Sequence, residues 1–225
     1  GATIIFAGVS KEDASKFTVI VKYATMQGFE AFKNDKDLHD ARAAAGVDLD
    51  SAKITLMDGD TVEATNLGHQ RFTKSDIGKP KTEVLAQRFT DFEYVTCHSV
   101  AENLRDAEQL EGYDFILIGV DRPLPRRLVH ASDIPWIDMR STGDGHVYFT
   151  SESRTDLVTM MTPDHEPASC QIKGALEAGN IQFGYVNAAA AGATWLIGQL
   201  RNQPVLKERM GSIMFGELKF PEVSA

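Results

Sequence analysis

The chain has 225 residues, 43% hydrophobic and 24% charged, which is ordinary for a globular protein and long enough for a full α/β core. A formal net charge of −9 removes the broad basic field of a nucleic-acid or anionic-membrane binder and leaves room only for local basic pockets. No apolar run approaches the roughly 18 residues a bilayer span needs, and Gly1-Ala2-Thr3 opens no signal-peptide pattern, so a single cytoplasmic domain over residues 1–225 is expected.

In chain order, short runs rich in β-branched and aromatic residues predict strands at 2–8, 17–21, 53–57, 93–97, 114–120, 135–139, 146–150 and 156–161. Residues 22–50 are longer than one helix needs, and the polar stretch "KNDKDLHDARAAAGVDLD" reads as an insertion. Helical patterns fall between later strands: "KPKTEVLAQRFTDF" places Val84, Leu85, Arg88 and Phe89 at helical spacing, and "SVAENLRDAEQL" sets Ser99 three residues before Glu102 as a capping pair. Strands alternating with helices imply a parallel sheet, and the continuous apolar run Phe115 to Val120 suits its buried centre. After about residue 140 the runs crowd together, which predicts an antiparallel section. The longest helix is expected in "IQFGYVNAAAAGATWLIGQLRN", where small residues permit close packing and Gln182, Asn187, Gln199 and Arg201 bound the apolar part. The fold class is therefore α/β, a Rossmann-like doubly wound sheet, mostly parallel, with an antiparallel C-terminal extension.

In such sheets ligands bind at the carboxyl ends of the strands, and an acid there typically holds ribose. Asp58 and Asp60 stand where "KITLM" runs out, spaced to point the same way. Lys81 follows Pro80, a residue suited to the first turn of a helix, so its ammonium can meet phosphate; Lys79 is a second candidate. Asp121 ends the most apolar strand, where a Mg²⁺ ligand facing a polyphosphate belongs. Singly, each feature also has a plain structural explanation, because Asp-Gly-Asp is a turn signal and a strand-terminal Asp often caps a helix.

The order of these features, "MDGDTVEATNLGHQRFTKSDIGKPK" followed by "YDFILIGVD", resembles the ThiF/MoeB family, bacterial relatives of the ubiquitin-activating enzymes. The match is specific over residues 53–140 and looser to about residue 200. The resemblance implies that Asp58 binds ribose, Asp60 supports the loop, Asn66 and Gln70 line the nucleotide pocket, Lys81 contacts phosphate and Asp121 holds Mg²⁺. It also implies attack of a substrate carboxylate on the α-phosphate of ATP. The acceptor would be the C-terminus of a ubiquitin-like or sulfur-carrier protein, or of a peptide, and the enzyme a homodimer.

Two departures stand out. The family arginine in N-L-x-R-Q is His69 here, with Arg71 two residues on as a substitute, and no closely spaced glycines follow "FTVI" to cradle phosphate. The sequence is thus compatible with a non-catalytic relative, with nucleotide bound by another route, or with a segment omitted near Ile20-Val21, which we take as the working expectation. Cys170, in "TPDHEPASCQIKG", is where some relatives carry a thioester- or persulfide-forming thiol, and nearby His165 would lower its pKa if the loop brings them together. Cys97 is expected in the core, facing away from His98. Neither cysteine belongs to a CxxC, so no zinc site is expected. Arg126 and Arg127 follow Asp121 on a predicted helix, where one of them is a candidate to reach the site and a solvated face is the preferred assignment, and Arg140, after Asp138, is a secondary site candidate. A binding or scaffold protein that lost turnover is the competing reading. An NAD-linked oxidoreductase ranks behind it, since it too needs the glycine fingerprint and leaves Lys81 unexplained.

Overall fold

The computed structural model describes residues 2–9, 17–23, 52–90, 95–166 and 169–222. Two compact units are distinguished, one made of Gly1–Leu56 with Leu85–Ser99 and the other of Met57–Val84 with Val100–Ala225. In the first unit β1 (Ala2–Val9) and β2 (Phe17–Tyr23) pair antiparallel, from Ala2 opposite Tyr23 to Val9 opposite Phe17. The short connection between them explains why, since a parallel crossover needs about a dozen residues. β2 runs unbroken through Ile20 and Val21, so Val21–Tyr23 are strand rather than the start of a helix; the expected insertion at 33–50 lies outside the described residues. β3 (Ala52–Met57) pairs with β4 (Val95–Val100).

The second unit is built on a five-stranded sheet of order β5-β6-β7-β8-β9. Its strands are β5 (Ile116–Ile118), β6 (Trp136–Thr142), β7 (Gly145–Thr150), β8 (Glu208–Ser212) and β9 (Gly216–Leu218). β5 and β6 are parallel, joined through helix α2 (Pro123–His130), and every later pairing is antiparallel. The fold is thus mixed α/β with parallel and antiparallel pairing, as expected, and the antiparallel extension carries most of this sheet. Gly143, at φ 60, turns β6 into β7.

Helix α1 (Lys81–Ala86) continues into a 3-10 turn at Gln87–Phe89. Two expectations fail nearby and beyond. Residues 156–161 are not a strand: Thr155–Met160 form helix α3, because Leu157, Val158 and Met161 meet the core at helical spacing, and the threonines imitated a strand signal. The expected helix at 99–110 is a single 3-10 turn, Ala107–Leu110, capped by Asp106 and Gln109; Ser99 belongs to β4. The long helix α4 spans Gly184–Leu200.

Because successive residues of a strand face opposite ways, β6 divides the core in two. Trp136 joins Leu110, Ile118, Val129, Phe149, Leu157 and Val158 on the face covered by α2 and α3, whereas Ile137 joins Tyr148 and Trp195 on the α4 side. On α4, buried Gly184, Ala188, Gly192, Trp195 and Gly198 form the packed stripe. A methyl on Gly184 would collide with the carbonyls of Gly143 and Gly145, and one on Gly192 with the Met139 sulfur, so the small residues let helix and sheet backbones approach.

Asp138 faces the same side as Trp136 and is 0% exposed. Arg126 and His130, one helical turn apart on α2, both reach it. Arg126 Nη1 donates to Oδ1, His130 Nε2 lies 3.0 Å from Oδ2, and Arg140 donates to Oδ2 through Nε at 3.0 Å and Nη2 at 2.6 Å. Arg140 also holds the Met161 carbonyl and Thr162 Oγ1, and its guanidinium sits 5.0 Å above the Phe149 ring. Burial alone would raise the Asp138 pKa, but the bond from His130 and the two guanidinium charges outweigh it and hold the carboxyl below the ordinary value of 3.8. Burial lowers Arg126 to about 10, against the pull of Asp138.

A folded-state pKa below the unfolded one adds stability that is complete above the unfolded value and is lost as pH falls through the folded one. Asp138→Asn should therefore lower the denaturant-derived unfolding free energy near neutral pH by about 3–5 kcal/mol and remove part of the loss of stability below pH 4, measured by urea titration across pH.

Candidate nucleotide site

β3 ends at Met57, and the backbone N–H of Asp58 still reaches Val100 O at 3.2 Å. The Asp58 carboxylate then accepts the N–H of Asp60 at 2.8 Å, turning the chain at Gly59, where a Cβ would stand 2.6 Å from the Asn103 amide nitrogen. The returning segment is stitched to this tip by backbone bonds: Thr61 bridges Pro80, Val62 N–H donates to Lys79 O at 2.9 Å, and Lys81 N–H donates to Asp60 O at 3.0 Å. Val62, 1% exposed, anchors the loop from within. Lys81 is thereby returned to the strand end that sent the chain out, and its Nζ lies 2.8 Å from Asp60 Oδ2.

Gly59, Asp60, Thr61, Glu63, Asn66 and Lys81 line a hollow of about 310 Å³. The motif between them folds as two capped 3-10 turns, Ala64–Asn66 and Lys74–Asp76. Asn66 Oδ1 accepts the Glu63 N–H at 2.9 Å, so the Asn of V-E-x-x-N ties its own turn closed while bordering the hollow. Gln70 is half-buried and its N–H reaches Asn66 O at 3.1 Å; Arg71 is exposed. His69 carries a buried Nδ1 with no hydrogen-bond partner among the described residues, and its carbonyl accepts the Tyr185 hydroxyl at 3.1 Å. Lys79 is exposed and 4.0 Å from Asp76.

Asp121 is exposed just beyond β5. Asp58 feels the charges of Lys81, Asp60 and Asp121. Burial raises the Asp58 pKa most, the Asp60 N–H and the Lys81 charge oppose it, and the charges of Asp60 and Asp121 add to it. Of the residues expected at the site, Asp60, Asn66 and Lys81 line the hollow, whereas Asp58, His69, Gln70, Arg71 and Asp121 are not part of its lining. Among the described residues no three acids, histidines or cysteines gather as a metal cluster. A lone exposed carboxylate such as Asp121 fits Mg²⁺, which takes one or two carboxylates and completes its shell with phosphate oxygens and water.

Cys170 is half-buried and lines none of this hollow. Its carbonyl accepts Gly143 N–H at 2.8 Å, and His165 Nδ1 is engaged by the Glu166 carbonyl at 2.7 Å, a contact that takes up one of the two ring nitrogens. Cys97 and His98 alternate as expected, but the thiol is half-buried rather than in the core, its pKa raised by burial, and the imidazole is exposed. Arg127 is solvated and paired with Asp164 at 2.8 Å, but Arg126 is buried and Arg140 binds Asp138 rather than the hollow. The signal for that cluster was present: Arg and His four apart on one helix, and Asp-x-Arg on a strand.

An α/β sheet with acids at two strand ends and a lysine at a helix start belongs to the broad class of nucleotide-binding folds. The sequence profile of the ThiF family matches residues 39–223, and the chain belongs to that family. It is 34% identical over 113 residues, 42% of its length, to the NEDD8-activating enzyme E1 catalytic subunit of Saccharomyces cerevisiae, of which it spans 38%. The fold is similar to E. coli MccB crystallised with ATP, with a TM-score of 0.55 at 21% identity over 76% of this chain and 56% of that one. MccB in complex with N-formylated MccA gives a TM-score of 0.53 at 19% identity over 83% and 60%. The chain thus spans between about two fifths and three fifths of the relatives it matches.

Asn66→Ala removes the acceptor that closes the first turn and should cost about 1 kcal/mol, read as a lower urea midpoint with unchanged slope.

Proposed function

We propose that this chain performs ATP-dependent adenylation of a carboxylate. The observation that carries the reading is the hollow that Asp60, Asn66 and Lys81 line at the end of β3, with Asp58 at the same strand tip feeling the charges of Asp60, Lys81 and Asp121. Asp58 accepts ribose hydroxyls, Asn66 forms part of the wall with Gln70 bonded to its carbonyl, and Lys81 meets phosphate, with Arg71 available where the family arginine is replaced by His69. The Lys81–Asp60 pair has a partner that is 65% exposed, so it contributes at most about 1 kcal/mol and yields readily to a phosphate. A carboxylate oxygen bonds to the α-phosphorus, the bond from that phosphorus to the bridging oxygen breaks, and pyrophosphate leaves. Mg²⁺ at Asp121, when bound, offsets charge on the departing phosphates. Lys81 does the same from the helix start, so the chain supplies electrostatics rather than proton transfer.

The E1 relative and the MccB–MccA complexes support a ubiquitin-like protein or a peptide as the substrate whose carboxylate is adenylated; a homodimer as the working assembly is part of the same proposal. Cys170 is a candidate for a later thioester. His69 in place of arginine favours a second reading, a ThiF-fold binding protein without turnover. Pyrophosphate exchange with candidate carboxylate donors separates the two. Adenylation predicts exchange that Lys81→Ala reduces by about 10²–10³-fold with an unchanged melting temperature; absence of both exchange and ATP binding in the wild-type chain refutes it.

Asp58 supplies a pH signature. Its pKa is raised by burial, and only the ionised form accepts two ribose hydroxyls. ATP affinity should weaken as pH falls toward the carboxylate range, and Asp58→Asn should bind more weakly at neutral pH with a flatter profile, measured by calorimetry.

A further inference from the structure

The buried Asp138 cluster and the strand end that carries Asp121 are joined by one side chain. Arg126 Nη1 is held by Asp138 Oδ1 while Nη2 donates to the carbonyl of Val120, the residue immediately before Asp121. In the parallel β5–β6 register Asp138 pairs with Ile118, so the carboxylate is anchored on the neighbouring strand three residues before Asp121. The guanidinium thus spans from β6 to the backbone just past β5, and it does so from a buried position, with 7% of its side chain exposed. His130 and Arg140 occupy the other oxygen of Asp138, which leaves that carboxylate little freedom to follow a moving arginine. Arg126 also senses the charge of Asp121.

We infer that Arg126 is a positioning residue: clamped by Asp138, it fixes the Val120 carbonyl and so aims Asp121 at the metal–polyphosphate position of the proposed adenylation site. The inference rests on that functional reading and deepens it. A planar fork can bond Asp138 and Val120 at once; a lysine ammonium at the same position keeps the charge but reaches from a single point. Outer partners of this kind typically change metal affinity by about tenfold or more when removed.

The test measures ATP affinity of the full chain by calorimetry in magnesium and in EDTA, for wild type, Arg126→Lys and Arg140→Lys, with melting temperatures alongside. The magnesium-to-EDTA affinity ratio isolates the metal-linked part of binding and needs no turnover. Arg126→Lys should cut that ratio by about tenfold while leaving affinity in EDTA within about twofold. Arg140→Lys keeps a cation on the other oxygen of Asp138 and leaves the Arg126 bonds to Asp138 and Val120 in place, so it should change the ratio by less than about twofold. An unchanged ratio in Arg126→Lys, an equal fall in both variants, or a wild-type ratio of one overturns the inference while leaving ATP binding intact. A wild-type chain that binds no ATP under either condition overturns the functional reading and this inference together.

Discussion

A carboxylate with no exposure to water is costly unless every oxygen is answered, and Asp138 is answered from three directions. The requirement shapes its surroundings: α2 must run close enough to β6 for both Arg126 and His130 to arrive, and β6 must carry Arg140 on the same face two residues on. α3 is drawn in as well, since Arg140 also serves the Met161 carbonyl and Thr162. Charge pairing and apolar packing cooperate here. His130 stacks against Trp136 with ring centroids 4.6 Å apart, so the polar centre and the apolar cluster share a wall.

The candidate site depends on a different kind of constraint, one made by backbone. Its loop leaves the strand tip at Asp58 and comes back at Lys81, and the return is set by main-chain bonds between Asp60–Val62 and Gly78–Lys81. Side chains then need little freedom to meet. Such an arrangement tolerates varied residues in the loop provided the turn formers remain, which is consistent with a histidine at position 69 inside an otherwise intact motif.

Much of this was readable in the residues. The strand ends bearing Asp58 and Asp121, the helix opened by Pro80-Lys81 and the long helix after Phe183 follow from local pattern and from the family motif, which also supplied the site. The errors lie where local preference and tertiary context diverge. Thr155–Met160 carries threonines that favour a strand in isolation, yet its apolar residues satisfy the core only as a helix. Ser99 and Glu102 have the spacing of a cap, but Val100 is claimed by a strand ladder. β8 and β9 have too few apolar residues to announce themselves and exist because β7 offers an edge. Arg126 was assigned to solvent because charge argues for exposure; only the buried partner on a strand some residues away reverses that argument.

Gly184 sits at the start of α4 with the carbonyls of the β6–β7 turn where its side chain would project. The Gly184 N–H also donates to the Gly143 carbonyl at 3.0 Å, so helix and turn meet backbone to backbone. Any side chain at this position would wedge α4 away from the hairpin, which makes residue 184 the point where the spacing between helix and sheet is set.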